Sequence, residues 1–225
     1  MKLKEILTPS FRDFRRPSVP VVTVSDDSDF CSETVGRGIL TEGQMEHAAR
    51  RYRLGRSRSG RAIFWMIDER GIVRDGHIGD SWASLMLKAR EPALLRNWHA
   101  SHCLFGMHLL GMEGPVAIVE SERTAVIMSE LCPQCLWMAP GLLSDLTPDS
   151  LLPLGRHRIT LFPPVDTAMD SYLFWREVAA EAHRRFRLDV TVSTVLEDHA
   201  TQEQREQCIG ILGFVLAGQV NGEPP

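Results

Sequence analysis

The chain has 225 residues, 44% of them hydrophobic and 24% charged, with a formal net charge of −4. This is enough for one sizeable domain, or a small module in front of an α/β domain, and the composition is globular rather than disordered. No apolar run approaches the roughly 18 residues that cross a bilayer, the polar, proline-containing start is no signal-peptide core, and five cysteines without framework spacing fit reduced thiols, so a cytoplasmic protein with no membrane partner is expected.

Residues 1–38 read as an irregular N-terminal segment. Pro9, Pro17 and Pro20 break periodicity, Ser25-Asp26-Asp27-Ser28-Asp29 is an acidic polar run, and Val21 to Val24 offers a short edge strand. Next comes a clean helix start. Thr41 caps it, Gln44 completes a capping box, and Leu40 can staple onto Met45. The pattern runs to about Arg53, and Gly55 supplies a left-handed stop. Arg50, Arg51, Arg53, Arg56, Arg58 and Arg61 cluster around this end. Arginines so grouped neutralise phosphates and release counterions, which makes them candidate nucleic-acid contacts. A helix terminus that favours cations accounts equally well for the first three.

Residues 61–68 form an apolar strand, Glu69-Arg70-Gly71 turns it, and Ile72 to Ile78 returns antiparallel. From 82 to 110 the spacing is helical, with Pro92 in a first turn; Trp98, His99 and His102 read as packing residues. Residues 39–112 thus form an α+β module of helix, β-hairpin and helices. Beyond it, strands at 116–120, 135–139, 157–163 and 188–196 alternate with helices at 121–131, 144–152, 167–186 and 201–217. Such alternation implies βαβ crossovers and a parallel sheet flanked by helices across 113–220. Cys132-Pro133-Gln134-Cys135 is a lone C-x-x-C pair without a second knuckle, so no zinc is expected.

Chemistry concentrates where parallel strands end. Val116 to Val119 delivers Glu120 to a turn, and Ser121 can cap the helix that follows. Pro140-Gly141 and Pro163-Pro164-Val165-Asp166 end the next strands on the same edge, where open α/β sheets place their ligands. Gly141 allows close backbone approach. Glu120, Asp166 and Asp170 are carboxylates that together suit Mg²⁺, an oxygen-seeking ion that keeps water or phosphate in its other positions. The plainer account of Glu120 and Glu122 is an acidic first turn favoured by the helix dipole.

Val-Ala-Ile-Val-Glu-Ser-Glu-Arg-Thr-Ala (116–125), Met-Ala-Pro-Gly (138–141) and Ile-Thr-Leu-Phe-Pro-Pro-Val-Asp (159–166) resemble the toprim family, the topoisomerase–primase catalytic fold. Glu-Ser-Glu looks like the primase branch of phages and mobile elements. Arg51 to Gly55, Ile63 to Asp68 and Cys103 to Leu110 look like a toprim-like group from Bacteroidetes. The resemblance covers about residues 39–195. It implies that Glu120 is the acid or base of nucleotidyl or strand transfer, and that an Asp-x-Asp pair binds Mg²⁺. Asp166 matches the later Asp of that pair, but Pro164 stands at the earlier one and has no ligand atom. The zinc module common in front of primase cores has no counterpart here.

The resulting expectation is a toprim-like protein related to DNA primases that contacts single- or double-stranded nucleic acid, works beside replication or mobile-element proteins, and carries a degenerate magnesium site. Two alternatives stand beside it: an active Mg²⁺-dependent primase or nuclease, and a non-catalytic protein-interaction domain.

Overall fold

The structure, a computed structural model, describes residues 24–78 and 103–221. The expected elements within 82–102, including Trp98, His99 and His102, lie outside the described residues, as does most of the Val21–Val24 edge strand.

Helix α1 (Asp29–Gly36) occupies sequence expected to be irregular. The acidic run is its cap: the Ser28 hydroxyl accepts the Cys31 N–H, and only Phe30, Cys31 and Thr34 turn inward. Helix α2 (Glu42–Tyr52) begins on the expected box, with both the Thr41 and Gln44 halves formed. Its left-handed residue is Arg53 (φ 54°, ψ 43°) rather than Gly55, which already pairs with Ile63 in strand β1 (Gly55–Arg56).

Strands β2 (Ala62–Ile67) and β3 (Val73–Ile78) form the expected hairpin, and β1 completes a three-stranded antiparallel sheet. Asp68 organises the turn. Its carboxylate accepts the N–H groups of Arg70 (3.0 Å) and Ile72 (2.8 Å) and the Arg74 guanidinium (2.7 Å). Burial pushes the Asp68 carboxyl up, but those hydrogen bonds outweigh it and hold the group below the usual range.

The second sheet is wholly parallel, in the order β5 (Leu136–Met138), β4 (Val116–Ile118), β6 (Ile159–Leu161), β7 (Val190–Val192). The expected α/β architecture, a parallel sheet flanked by helices behind a helix-and-hairpin module, is therefore present. Helix α3 (Glu122–Leu131) crosses from β4 to β5 and packs against the sheet, α2 and the C-terminal helix. Being covered on several sides, it is buried almost all round, as its run from Ala125 to Met128 requires.

Helix α4 (Asp170–Phe186) instead shows one stripe, Trp175, Val178, Ala179 and Ala182, and packs against β7. The helix expected at 144–152 is two 3₁₀ turns, Leu143–Asp145 and Asp149–Leu154; Pro153 sits inside the second, and proline cannot donate to a helical ladder. One core runs from Phe30, Tyr52 and Phe105 through Ile118 to Trp175. The Tyr52 hydroxyl fastens the helical layer to the sheet by donating to the Trp137 carbonyl at 2.8 Å. Among the described residues no helix is long and apolar enough to cross a membrane.

After β7 the chain departs from expectation again. Residues 195 and 196, expected to end the last strand, instead start helix α5 (Val195–His199). The single helix expected at 201–217 is broken into α6 (Gln202–Glu206) and α7 (Ile211–Asn221). The break is tertiary in origin, because Cys208 turns left-handed (φ 51°) and Gly210 is pressed against another part of the fold.

Candidate active site

Parallel register brings the three strand ends to one level. Ile118 aligns with Met138 and with Leu161, so Glu120, Pro140 and Pro163 each stand two residues past a common row. Glu120 is thus at the carboxyl edge of β4, flanked by both neighbouring strand ends.

Ser121 caps α3, accepting the Thr124 N–H at 3.2 Å, which leaves the cap to the serine and frees Glu120 from that duty. The Glu120 carboxyl instead accepts the Thr124 hydroxyl at 2.8 Å through Oε1. Its Oε2 is buried with no hydrogen-bond partner among the described residues. Burial pushes the Glu120 carboxyl above the ordinary range, against smaller lowering from its own N–H and from Thr124. A half-satisfied, desolvated carboxyl with a raised proton affinity is suited to exchanging protons with a bound molecule.

This sets a pH dependence with a definite sign. Glu120 binds its proton more tightly folded than unfolded. It therefore takes stability away as pH climbs from the ordinary glutamate range through the raised folded value, by at most about 1.4 kcal/mol per pH unit. Glu120→Gln keeps an oxygen for Thr124 and carries no charge. Urea midpoints measured across this range should show a flatter slope for Glu120→Gln, with neutral-pH stability no lower than wild type.

Glu122, the first residue of α3, has a different neighbour. His77 Nδ1 from β3 lies 2.5 Å from Glu122 Oε1, a close contact poorly aligned as a hydrogen bond, and both residues are buried. Asp75, two positions before His77, is buried too. Sequence reasoning missed this pair. The available signal was Val73, Asp75 and His77 at alternate positions of an expected strand, which puts two ionisable groups on its inward face. Gly141 (φ 92°), three residues past β5, lies beside them: a Cβ there would fall 2.8 Å from His77 Cε1 and 3.1 Å from Glu122 Oε1.

Asp166 accepts the N–H groups of Ala168 (3.0 Å) and Asp170 (2.9 Å) on Oδ1, and that of Ser171 (2.9 Å) on Oδ2. It caps the start of α4. Burial raises its carboxyl, but these donors overcome that and hold it below the ordinary range. Asp170 is exposed in the first turn of α4. Both Asp166 oxygens thus serve the backbone and Pro164 offers nothing. Among the described residues no three His, Cys, Asp or Glu side chains are grouped to hold a metal ion. As arranged, this donor set is a poor fit to octahedral magnesium.

The arginines divide. Arg50 pairs with Glu46, and Arg56 Nε lies 3.6 Å from Asp27. Arg51 and Arg61 are half-buried, whereas Arg53 and Arg58 are exposed and make no ion pair among the described residues. The Cys132–Cys135 pair leads into β5, where the Cys132 carbonyl accepts the Trp137 indole N–H at 2.8 Å.

Fold and site together define an α/β protein that presents a half-buried carboxyl group, one oxygen of it buried and unpartnered, at the carboxyl edge of a parallel sheet. The chain belongs to the family described as Domain of unknown function (DUF6371), whose profile matches residues 33–165, more than half its length. A solved structure of the DnaG primase catalytic domain bound to ssDNA is similar at 15% identity, over 85% of this chain and 69% of that one, with a TM-score of 0.42. No curated protein matches.

Proposed function

We propose that the protein is a toprim-like, nucleic-acid-associated relative of the DNA primases, with Glu120 as its acid–base group and a degenerate magnesium side at Asp166 and Asp170. The observation that carries this reading is Glu120 itself, half-buried at the carboxyl edge of β4, with its Oε2 buried and unpartnered and its proton affinity raised by desolvation. In this reading Thr124 orients the carboxyl, Gly141 keeps the adjoining strand end open, and the cluster Arg50, Arg51, Arg53, Arg56, Arg58 and Arg61 tracks a phosphate backbone. Arg53 and Arg58 lead, since their charges are exposed and uncommitted among the described residues.

A labelled single strand tests it. The protein should retard the strand at low salt, and affinity should fall with salt at a slope of roughly 0.7 per neutralised phosphate. Arg→Ala at positions 53, 56 and 58 together should weaken binding and flatten that slope by about 2, three contacts at the same increment. No retardation of single or double strands at low salt overturns the reading and favours a protein-interaction domain. Calorimetry with millimolar magnesium addresses the metal: heat abolished by Asp166→Asn would replace the degenerate site with a working one.

A further inference from the structure

Glu120 is covered, and by one identifiable piece of the chain. Gly210 sits directly on its carboxyl: a Cβ built at Gly210 would lie 2.5 Å from Glu120 Oε1 and 2.7 Å from both Cδ and Oε2. A side chain there would have to push the Glu120 carboxyl aside. The segment that brings Gly210 to this point is α6, the left-handed Cys208 and the first turn of α7. The one backbone hydrogen bond joining it to the strand ends, among the described residues, is Val165 N–H to the Ile209 carbonyl at 3.0 Å. Arg205 holds its near end, with Nη1 2.6 Å from Glu197 Oε2 and Nη2 donating to the Glu197 carbonyl at 2.6 Å.

Its remaining grip on the body is apolar and mostly half-buried, with α7 packed on α3. Ile211 is buried, but Leu212, Phe214, Val215 and Leu216 of α7 are only half-buried, and Gly213 is exposed. A groove of about 230 Å³ remains open between α7, α1 and α3, lined by Phe30, Ile39, Arg123, Ile127, Leu212 and Leu216 among others. A segment whose apolar residues are mostly half-buried and which one backbone bond ties to the strand ends opens more readily than the sheet beneath it.

We propose that residues 201–218 form a strap that closes over Glu120 and must lift before a nucleic-acid strand can reach the carboxyl group. This deepens the acid–base reading of Glu120 and rests on it. The strap lifts as a unit hinged at Ala200 and Thr201, between the Arg205 clamp and α5. Closed, it excludes water and substrate together from the carboxyl edge of β4.

Carboxyl labelling of the full chain tests the closure. A water-soluble carbodiimide with a small amine, read by mass spectrometry, reports Glu120 against the exposed Glu203. Glu120 should label about tenfold more slowly than Glu203 in the wild type, and the ratio should rise roughly fivefold in Gly210→Ala, which wedges a methyl group against the carboxyl. Arg205→Ala releases the clamp without adding an atom, and it decides the matter if Gly210→Ala does not fold. Equal labelling of Glu120 and Glu203 in the wild type, or unchanged ratios in both variants, overturns the strap.

A labelled oligothymidylate should bind the opened variants more tightly than wild type. Equal binding by all three overturns the gating. Labelling that opens as expected, with no strand bound by any form, upholds the strap and overturns the nucleic-acid reading instead.

Discussion

Ile118→Ala is expected to cost about 2–5 kcal/mol of folding stability, the range for truncating a buried aliphatic side chain, with its position arguing for the upper half. Ile118 is fully buried, and β4 lies between β5 and β6 in fixed parallel register. The Ile118 carbonyl accepts the Phe162 N–H at 2.8 Å, and Val119 N–H donates to the Met138 carbonyl at 3.0 Å. Strands tied on both sides cannot close in on the lost methylenes, so most of the cavity persists. Urea unfolding should show a lowered midpoint with the slope preserved, since the surface exposed on unfolding hardly changes. Val192→Ala on edge strand β7, only half-buried, should cost about 1 kcal/mol. Equal losses at the two positions would contradict the layering. Sequence alone ranks Val190 and Val192 with the core; their half-burial follows from β7 lying at the end of the sheet order.

What was legible in the chain was local. The Thr41–Gln44 box spans three residues and needs nothing beyond them, and the hairpin is announced by Glu69-Arg70-Gly71 between two apolar runs. The placing of Glu120 was legible because a short apolar run followed by a capped helix has few other readings. Non-local features were missed. Helix α1 is eight residues long, too short for periodicity to show, and its cap looks like a loop. Arg53 takes the left-handed position because the next residue, Leu54, is fully buried while Gly55 is needed for strand pairing. The break at Cys208–Gly210 answers to a carboxyl group ninety residues earlier in the chain. Asp166 reads as a ligand from its place after β6, yet it serves its own next five residues. The His77–Glu122 contact joins two elements whose approach no spacing encodes.

That contact gives the second large effect. Gly141→Ala should destabilise the protein by about 2–5 kcal/mol, part from a non-glycine residue held at φ 92° and part from crowding the buried His77–Glu122 contact. The new methyl carbon would lie 2.8 Å from His77 Cε1, 3.1 Å from Glu122 Oε1 and 3.2 Å from Met66 Cε. Met66 can swing its thioether aside at little cost. The imidazole cannot, because it is buried and its Nδ1 is held against Glu122. The two contributions separate in a double-mutant cycle. With His77→Ala already made, the ring is gone and Gly141→Ala should cost less, by at least about 1 kcal/mol of coupling. The remainder, about 1–3 kcal/mol, belongs to the backbone and should persist whatever stands at position 77. Additive losses would mean that the glycine serves the turn alone. Strong coupling would mean that the end of β5 is shaped around His77 and Glu122, so that the hairpin module and the edge bearing Glu120 are built to fit one another.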